Sequence, residues 1–196
     1  MKKHMNIKNK LSLLLALASL LLTTGCAQLV MGPPQSSLDN TMRLRAAKIS
    51  PVNVGEFTPD ANLPAGRDQS FALRGANSLK APTDGSFTQY LRASLVEELK
   101  AANSFDPAST TTITGTLLDT DLDPAIGTGS AKLSARVVVS KDGEQRFAKD
   151  FTAQSTWDSS FVGAVAIPLA ANNYEGLFRK FISLLLEDES FVAALK

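Results

Sequence analysis

The sequence predicts an α+β fold: an antiparallel sheet of about four strands with two helices packed on one face, in the order β-α-β-β-β-α. Three observations predict it. Two segments, 86–103 and 168–185, repeat apolar residues at three- and four-residue spacing, which paints one stripe along a helix. Three others, 111–118, 131–140 and 145–157, favour β-branched residues or alternate apolar with polar ones, as strands buried on one side do. An Asp142-Gly143 pair joins the last two as a hairpin turn.

Each element can be justified in chain order. Residues 26–42 precede the body, and Met31-Gly32-Pro33-Pro34-Gln35-Ser36-Ser37 among them has turn formers and no hydrophobic period. This stretch is expected to be a flexible tether, with one globular domain over 43–196. Ala46 to Phe57 supplies Ile49, Val52, Val54 and Phe57, interrupted by Pro51, so a first strand is expected at a sheet edge. Thr58 to Pro82 reads as loop, with a short strand at Phe71 and Leu73.

Ser86 and Gln89 fit a capping box, and Phe87, Tyr90, Leu91, Leu95 and Leu99 form the first helix stripe. Asn103 and Pro107 close that helix. In the strands, Ile113, Gly115 and Leu117 face one way, as do Ala131, Leu133, Ala135, Val137 and Val139, then Phe147, Phe151 and Ala153. The last helix is expected near Pro168, a residue suited to a first helical turn, with Tyr174, Leu177, Phe178, Phe181, Ile182 and Leu185 as its stripe. Phe191 and Leu195 suit a short final helix that packs back.

The first 25 residues have a different composition. Lys2, Lys3, Lys8 and Lys10 are followed by an uncharged Leu-rich run, Leu11 to Leu22, and then Thr23-Thr24-Gly25-Cys26. The apolar run is well short of the ~20 residues a bilayer-spanning helix needs and has the length of a signal-peptide core. A small residue before the only cysteine, directly after such a core, resembles the bacterial lipobox. Thr23 stands where that motif usually has Leu. The resemblance implies removal of residues 1–25, acylation of Cys26, and a membrane held as partner through that lipid. Ala27, not Asp, follows the cysteine. By resemblance to enterobacterial sorting rules, that implies the outer membrane; the domain is expected to face the periplasm.

Removing residues 1–25 takes four of the 20 Lys and Arg, leaving 16 against 19 acidic residues, a formal charge of −3. That balance argues against a nucleic-acid partner. It also takes His4, the only histidine, and Cys26 is the only cysteine. The remaining 171 residues therefore cannot form a His-based triad, an internal disulfide, or a zinc site of the usual kind. No cofactor is expected, and no enzyme.

Asp119, Asp121 and Asp123 have the spacing of a calcium loop, but Pro124 and Ser130 stand where Gly and Glu are needed, so a solvated acidic loop is expected. Glu97 and Glu98 are neighbours on a helix and point apart, as solvated positions. Ser159 and Ser160 lie in no G-x-S-x-G elbow. From Phe161 to Ala171 no side chain is charged or an amide. That run has two readings: a buried connection into the last helix, or an exposed apolar surface for a partner or a lipid. On the second reading Trp157, Phe161, Val162, Val165 and Ile167 are the interface candidates.

Leu73-Arg74-Gly75, the helix Tyr90–Leu99, Thr114-Gly115-Thr116-Leu117 and Trp157–Ile167 together resemble a group of proteobacterial lipoproteins of obscure function. The layout is similar to envelope lipoproteins of the YajG type and to the auxiliary lipoproteins of lipid-transporting ABC systems. The resemblance implies an accessory or binding role beside an envelope protein partner, and it carries over no functional residue. Two alternatives remain: a small-ligand or lipid-binding module with a cavity between helices and sheet, and a hydrolase using Ser and Lys or carboxylates.

Overall fold

A computed structural model describes residues 28–82 and 85–196. Its main sheet has the order β2-β5-β6-β7, from Asn53–Pro59 (β2), Thr111–Asp123 (β5), Gly127–Lys141 (β6) and Glu144–Ser159 (β7). Gln28–Val30 (β1), Ser78–Lys80 (β4) and Ser70–Ala72 (β3) form a second, small sheet in the order β1-β4-β3. The helices are Leu38–Ala47 (α1), Phe87–Ala101 (α2), Gly163–Glu187 (α3) and Glu189–Ala194 (α4). The α+β class is as expected, and the sheet is antiparallel except where β2 runs parallel to β5. That exception follows from connectivity. The chain leaves β2, forms the small sheet and α2, and returns as β5, a crossover that sets neighbouring strands parallel.

Alternation puts Leu133, Ala135, Val137 and Val139 of β6 on one face, fully buried. They meet α3, whose Tyr174, Leu177, Phe178, Phe181, Ile182 and Leu185 are buried in turn. Aromatic rings fill the layer between: Phe151 stands edge-on to Phe181, Phe147 to Phe191, and Tyr174 to Phe178. The opposite sheet face is polar, with Arg136 paired to Asp150 and Ser134 to Thr152 across β6 and β7.

Two side-chain caps start α2. Ser86 Oγ accepts from Gln89 N–H, and Asp68 Oδ1 accepts from Thr88 N–H. Gln89 does not complete the capping box. Its amide instead donates to the Phe57 carbonyl and ties the helix to β2.

Several expectations are corrected. Residues 28–42 are not a free tether. Their backbone pairs in β1, Met31 is buried, and Asn40, Thr41 and Leu44 of α1 are buried against the body. Ala46 and Ala47 end α1 rather than open a strand, and β2 starts only at Asn53, after Pro51. It does lie at a sheet edge. The 58–82 stretch contains a complete hairpin of two three-residue strands, too short for periodicity to show.

Asp119 to Asp123 lie on β5, not in a loop, because a bulge between Leu117 and Asp119 resets the alternation and buries Thr120 and Leu122. The last helix begins at Gly163, before Pro168. Proline there forfeits only the bond to the exposed Ala164 carbonyl, which water can satisfy.

Candidate functional site

One end of the main sheet carries a cluster of exposed apolar side chains. It is formed by the β5–β6 turn, Pro124 to Ile126, and by the connection from β7 into α3. Ile126 is 71% exposed, Phe161 80%, Val165 55% and Val162 42%. These are four of the seven large apolar side chains exposed among the described residues; the others, Val30, Leu38 and Met42, lie on the N-terminal arm. Because Gly127 pairs with Ser159, Ile126 stands beside the chain as it leaves β7, and Val165 follows on the first turn of α3.

The tip is held by Arg74, in the tight turn between β3 and β4. Its Nε donates to the Pro124 carbonyl, Nη1 to the Ser160 carbonyl and Nη2 to Ser159 Oγ. One guanidinium thus fastens the β5–β6 turn to the β7–α3 connection and the small sheet to both. Its planar fork of five donors is suited to such a junction. Beneath the tip, Trp157 packs over Gly129, its cross-strand partner.

Of the sequence-derived interface candidates, Phe161, Val162 and Val165 are exposed together at this tip, whereas Trp157 and Ile167 are half-buried and pack against the core. The Trp157 Nε1 atom is buried without a hydrogen-bond partner among the described residues. Cys26 lies outside the described residues. Sequence reasoning missed Ile126 and Arg74. A lone apolar residue among the turn formers Pro124-Ala125-Ile126-Gly127 was the available signal for the first. Nothing local marks the second, because its three acceptors are 50 to 86 residues away.

Four of the five carboxylates singled out in the sequence are engaged one by one, and Asp123 is exposed. Asp119 pairs with Lys132 at 2.9 Å, and Asp121 with Arg67 at 2.6 Å. Glu97 pairs with Lys100. Glu98 is not solvated: it is buried, and its Oε1 accepts from Ser37 N–H at 3.0 Å and Asn40 Nδ2 at 2.9 Å. It falls seven residues after Leu91, on the apolar stripe, which the sequence reading passed over. Among the described residues no three His, Cys, Asp or Glu side chains are grouped to hold a metal ion.

The cavity of the alternative ligand-binding reading is not formed by the Phe161–Ile167 run, since Phe161, Val162 and Val165 turn outward and aromatic rings fill the layer. A groove beside α3, lined by Ser155, Asn172, Asn173, Gly176, Leu177 and Lys180, is open to solvent. Among the described residues no helix is long and apolar enough to cross a membrane.

No protein-family model matches the sequence, and no curated protein does. Solved structures do match. A Xanthomonas campestris protein of the DUF330 family superposes over 85% of this chain and 93% of its own, with 14% identity and a TM-score of 0.54. The two share a fold. A candidate lipoprotein from Caulobacter crescentus is similar over 80% of this chain and 96% of its own, at 13% identity and a TM-score of 0.43. A minor lipoprotein from Acinetobacter baumannii is similar over 71% and 93%, at 10% identity and a TM-score of 0.39. At those last two scores the likeness carries no further weight.

Proposed function

We propose that this protein is a lipid-anchored, non-catalytic lipoprotein of the bacterial envelope. On this reading it is attached to the outer membrane through Cys26, faces the periplasm, and acts as an accessory that binds other envelope components. The observation that carries the reading is the N-terminal array: four lysines, the Leu11–Leu22 run and Gly25-Cys26. The fold is compatible with it. Cleavage before Cys26 leaves every described element whole, because β1 begins at Gln28. The exposed tip of Ile126, Phe161, Val162 and Val165 favours a binding role, since a contiguous apolar patch on a small domain marks a contact surface.

The test is membrane fractionation with intact-mass measurement of the wild type and Cys26→Ser. The wild type should sediment with the outer membrane, carry acyl mass and lack residues 1–25. Cys26→Ser should lose the acyl mass and the processing. A wild type that is soluble, or that keeps its full N-terminus, would defeat the reading.

A further inference from the structure

We propose that the apolar tip is seated in the lipid surface that holds the Cys26 anchor, so that the domain meets the bilayer at two adjacent points instead of swinging from one. The inference rests on the lipid-anchor reading and adds to it an orientation and a ligand for the tip: the acyl region of the same leaflet.

The path of the N-terminal arm is the first support. Gln28 pairs with Ser78, and Ser78 with Ala72, so the chain enters the small sheet at the end where the β3–β4 turn lies. That turn carries Arg74, which grips the tip. From there the arm runs along α3 toward its C-terminus: Gly32 N–H donates to Glu175, Asn40 Nδ2 to the Arg179 carbonyl, and Arg43 pairs with Glu187. Gly32 is four residues beyond Gln28, a rise of about 13 Å in extended chain. Glu175 is twelve residues beyond Gly163, about 18 Å along the helix. Gln28 therefore lies close to the level of the first turn of α3, where Val165 is exposed.

Covalent geometry is the second support. Cys26 precedes Gln28 by two residues, and two extended residues span at most about 7 Å. An acyl chain on Cys26 would bring the tip end of the domain to the bilayer surface, and no long tether separates them.

The chemistry of the tip is the third support. Phe161 and Val165 are more than half exposed, and residues 155–171 contain no Lys or Arg. The nearby exposed charges, Asp123 and Asp158, are acidic. Such a surface suits hydrocarbon and not anionic headgroups, which call for basic residues. The lipobox resemblance implies more than one acyl chain on Cys26, enough for stable anchoring, so the tip sets orientation more than affinity.

The test uses the full chain, expressed in bacteria, extracted, checked for acyl mass on Cys26, and reconstituted into phosphatidylethanolamine–phosphatidylcholine vesicles. Half the preparations carry bromine on the acyl chains, which quenches tryptophan. Trp157 is the only tryptophan and lies beneath the tip. Brominated vesicles should quench it by about half, and Phe161→Ser with Val165→Ser should remove most of that quenching while the protein stays vesicle-bound. Both positions are exposed, so the thermal unfolding midpoint should be unchanged. Acylated, vesicle-bound protein without quenching would overturn the inference and leave the anchor standing. Equal quenching in the double variant would also overturn it, since proximity would then come from the anchor alone. Absent acyl mass would remove the anchor and the inference together. An unquenched Trp157 in vesicles, with an envelope protein that co-purifies from cells with the wild type and not with the double variant, would make the tip a protein-docking surface and overturn the lipid assignment.

Discussion

Trp157 of β7 and Gly129 of β6 are cross-strand partners, and the indole packs directly onto the glycine, so closely that a Cβ at 129 would overlap the ring. The arrangement recurs at the other end of the sheet, where Phe57 lies over Gly115. In both pairs the missing side chain is the seat for an aromatic ring.

Gly129→Ala should therefore expel Trp157 from its seat. The expected cost is about 1–3 kcal/mol, typical of overpacking. Chemical denaturation measures the cost, and a red shift in tryptophan emission reports the displaced ring. An unchanged spectrum and midpoint would show that the ring has room to move.

Arg74 makes three hydrogen bonds to oxygens of the tip. Arg74→Met keeps much of the stem and removes the donors. Two main-chain carbonyls would lose a charge-assisted partner, at about 1–3 kcal/mol in total. Amide exchange should quicken at 124–127 and 160–163 more than in β6. Uniform loss of protection would instead mean a global effect.

Glu98 holds the N-terminal arm through Ser37 and Asn40, while its Oε2 has no partner among the described residues. Glu98→Ala strands two donors in a buried setting, which costs about 1–3 kcal/mol per unsatisfied group. Limited proteolysis should then cut within 31–47 before it cuts elsewhere. First cleavage in the main sheet would contradict this role.

Asp188 caps α4, with Oδ1 accepting from Phe191 N–H and Oδ2 from Lys149 Nζ. The Lys149 hydrogen bond, then the Phe191 one, hold its carboxyl below the ordinary range. A depressed acid contributes stability above its unfolded pKa, about 3.9, and loses it as pH falls through the lower folded value. Asp188→Ala should cost about 1 kcal/mol at neutral pH. The gap to wild type should narrow only below about pH 4. Urea titrations at several pH values test it, and a pH-independent gap would refute the charge component.

Both tyrosines are buried, and both resist ionisation. Burial, reinforced by Glu175, pushes the Tyr90 phenol up to about 12. Burial pushes Tyr174 higher still, against its hydrogen bond to Thr120. Raised phenol values mean stability that is complete below the unfolded pKa near 10 and is lost as pH rises through the folded values. Phenolate absorbance should therefore stay low at pH 10–11 and rise together with unfolding. An early, independent titration of either ring would contradict its burial.

The helix stripes and the alternation of β6 and β7 were legible in the sequence because each is a local period repeated over many residues, and repetition survives a shift of one or two positions at either end. Asp142-Gly143 was legible for a similar reason: two residues and their dihedral demands make the turn, with Asp142 at φ 54° and Gly143 at φ 83°. The signal-like N-terminus was a matter of composition alone. Tertiary structure decided what depends on distant partners. The small sheet joins Gln28–Val30 to strands some 50 residues later. The arm is ordered by Glu98, Glu175 and Arg179, and Gly129 and Gly115 are explained only by the rings that cover them. The apolar run after Trp157 could be buried or exposed on sequence grounds, since hydrophobicity states a preference and not a location. Its outward turn at Phe161 follows from β7 ending at the sheet edge, where Arg74 holds the connection and none of the described elements covers it.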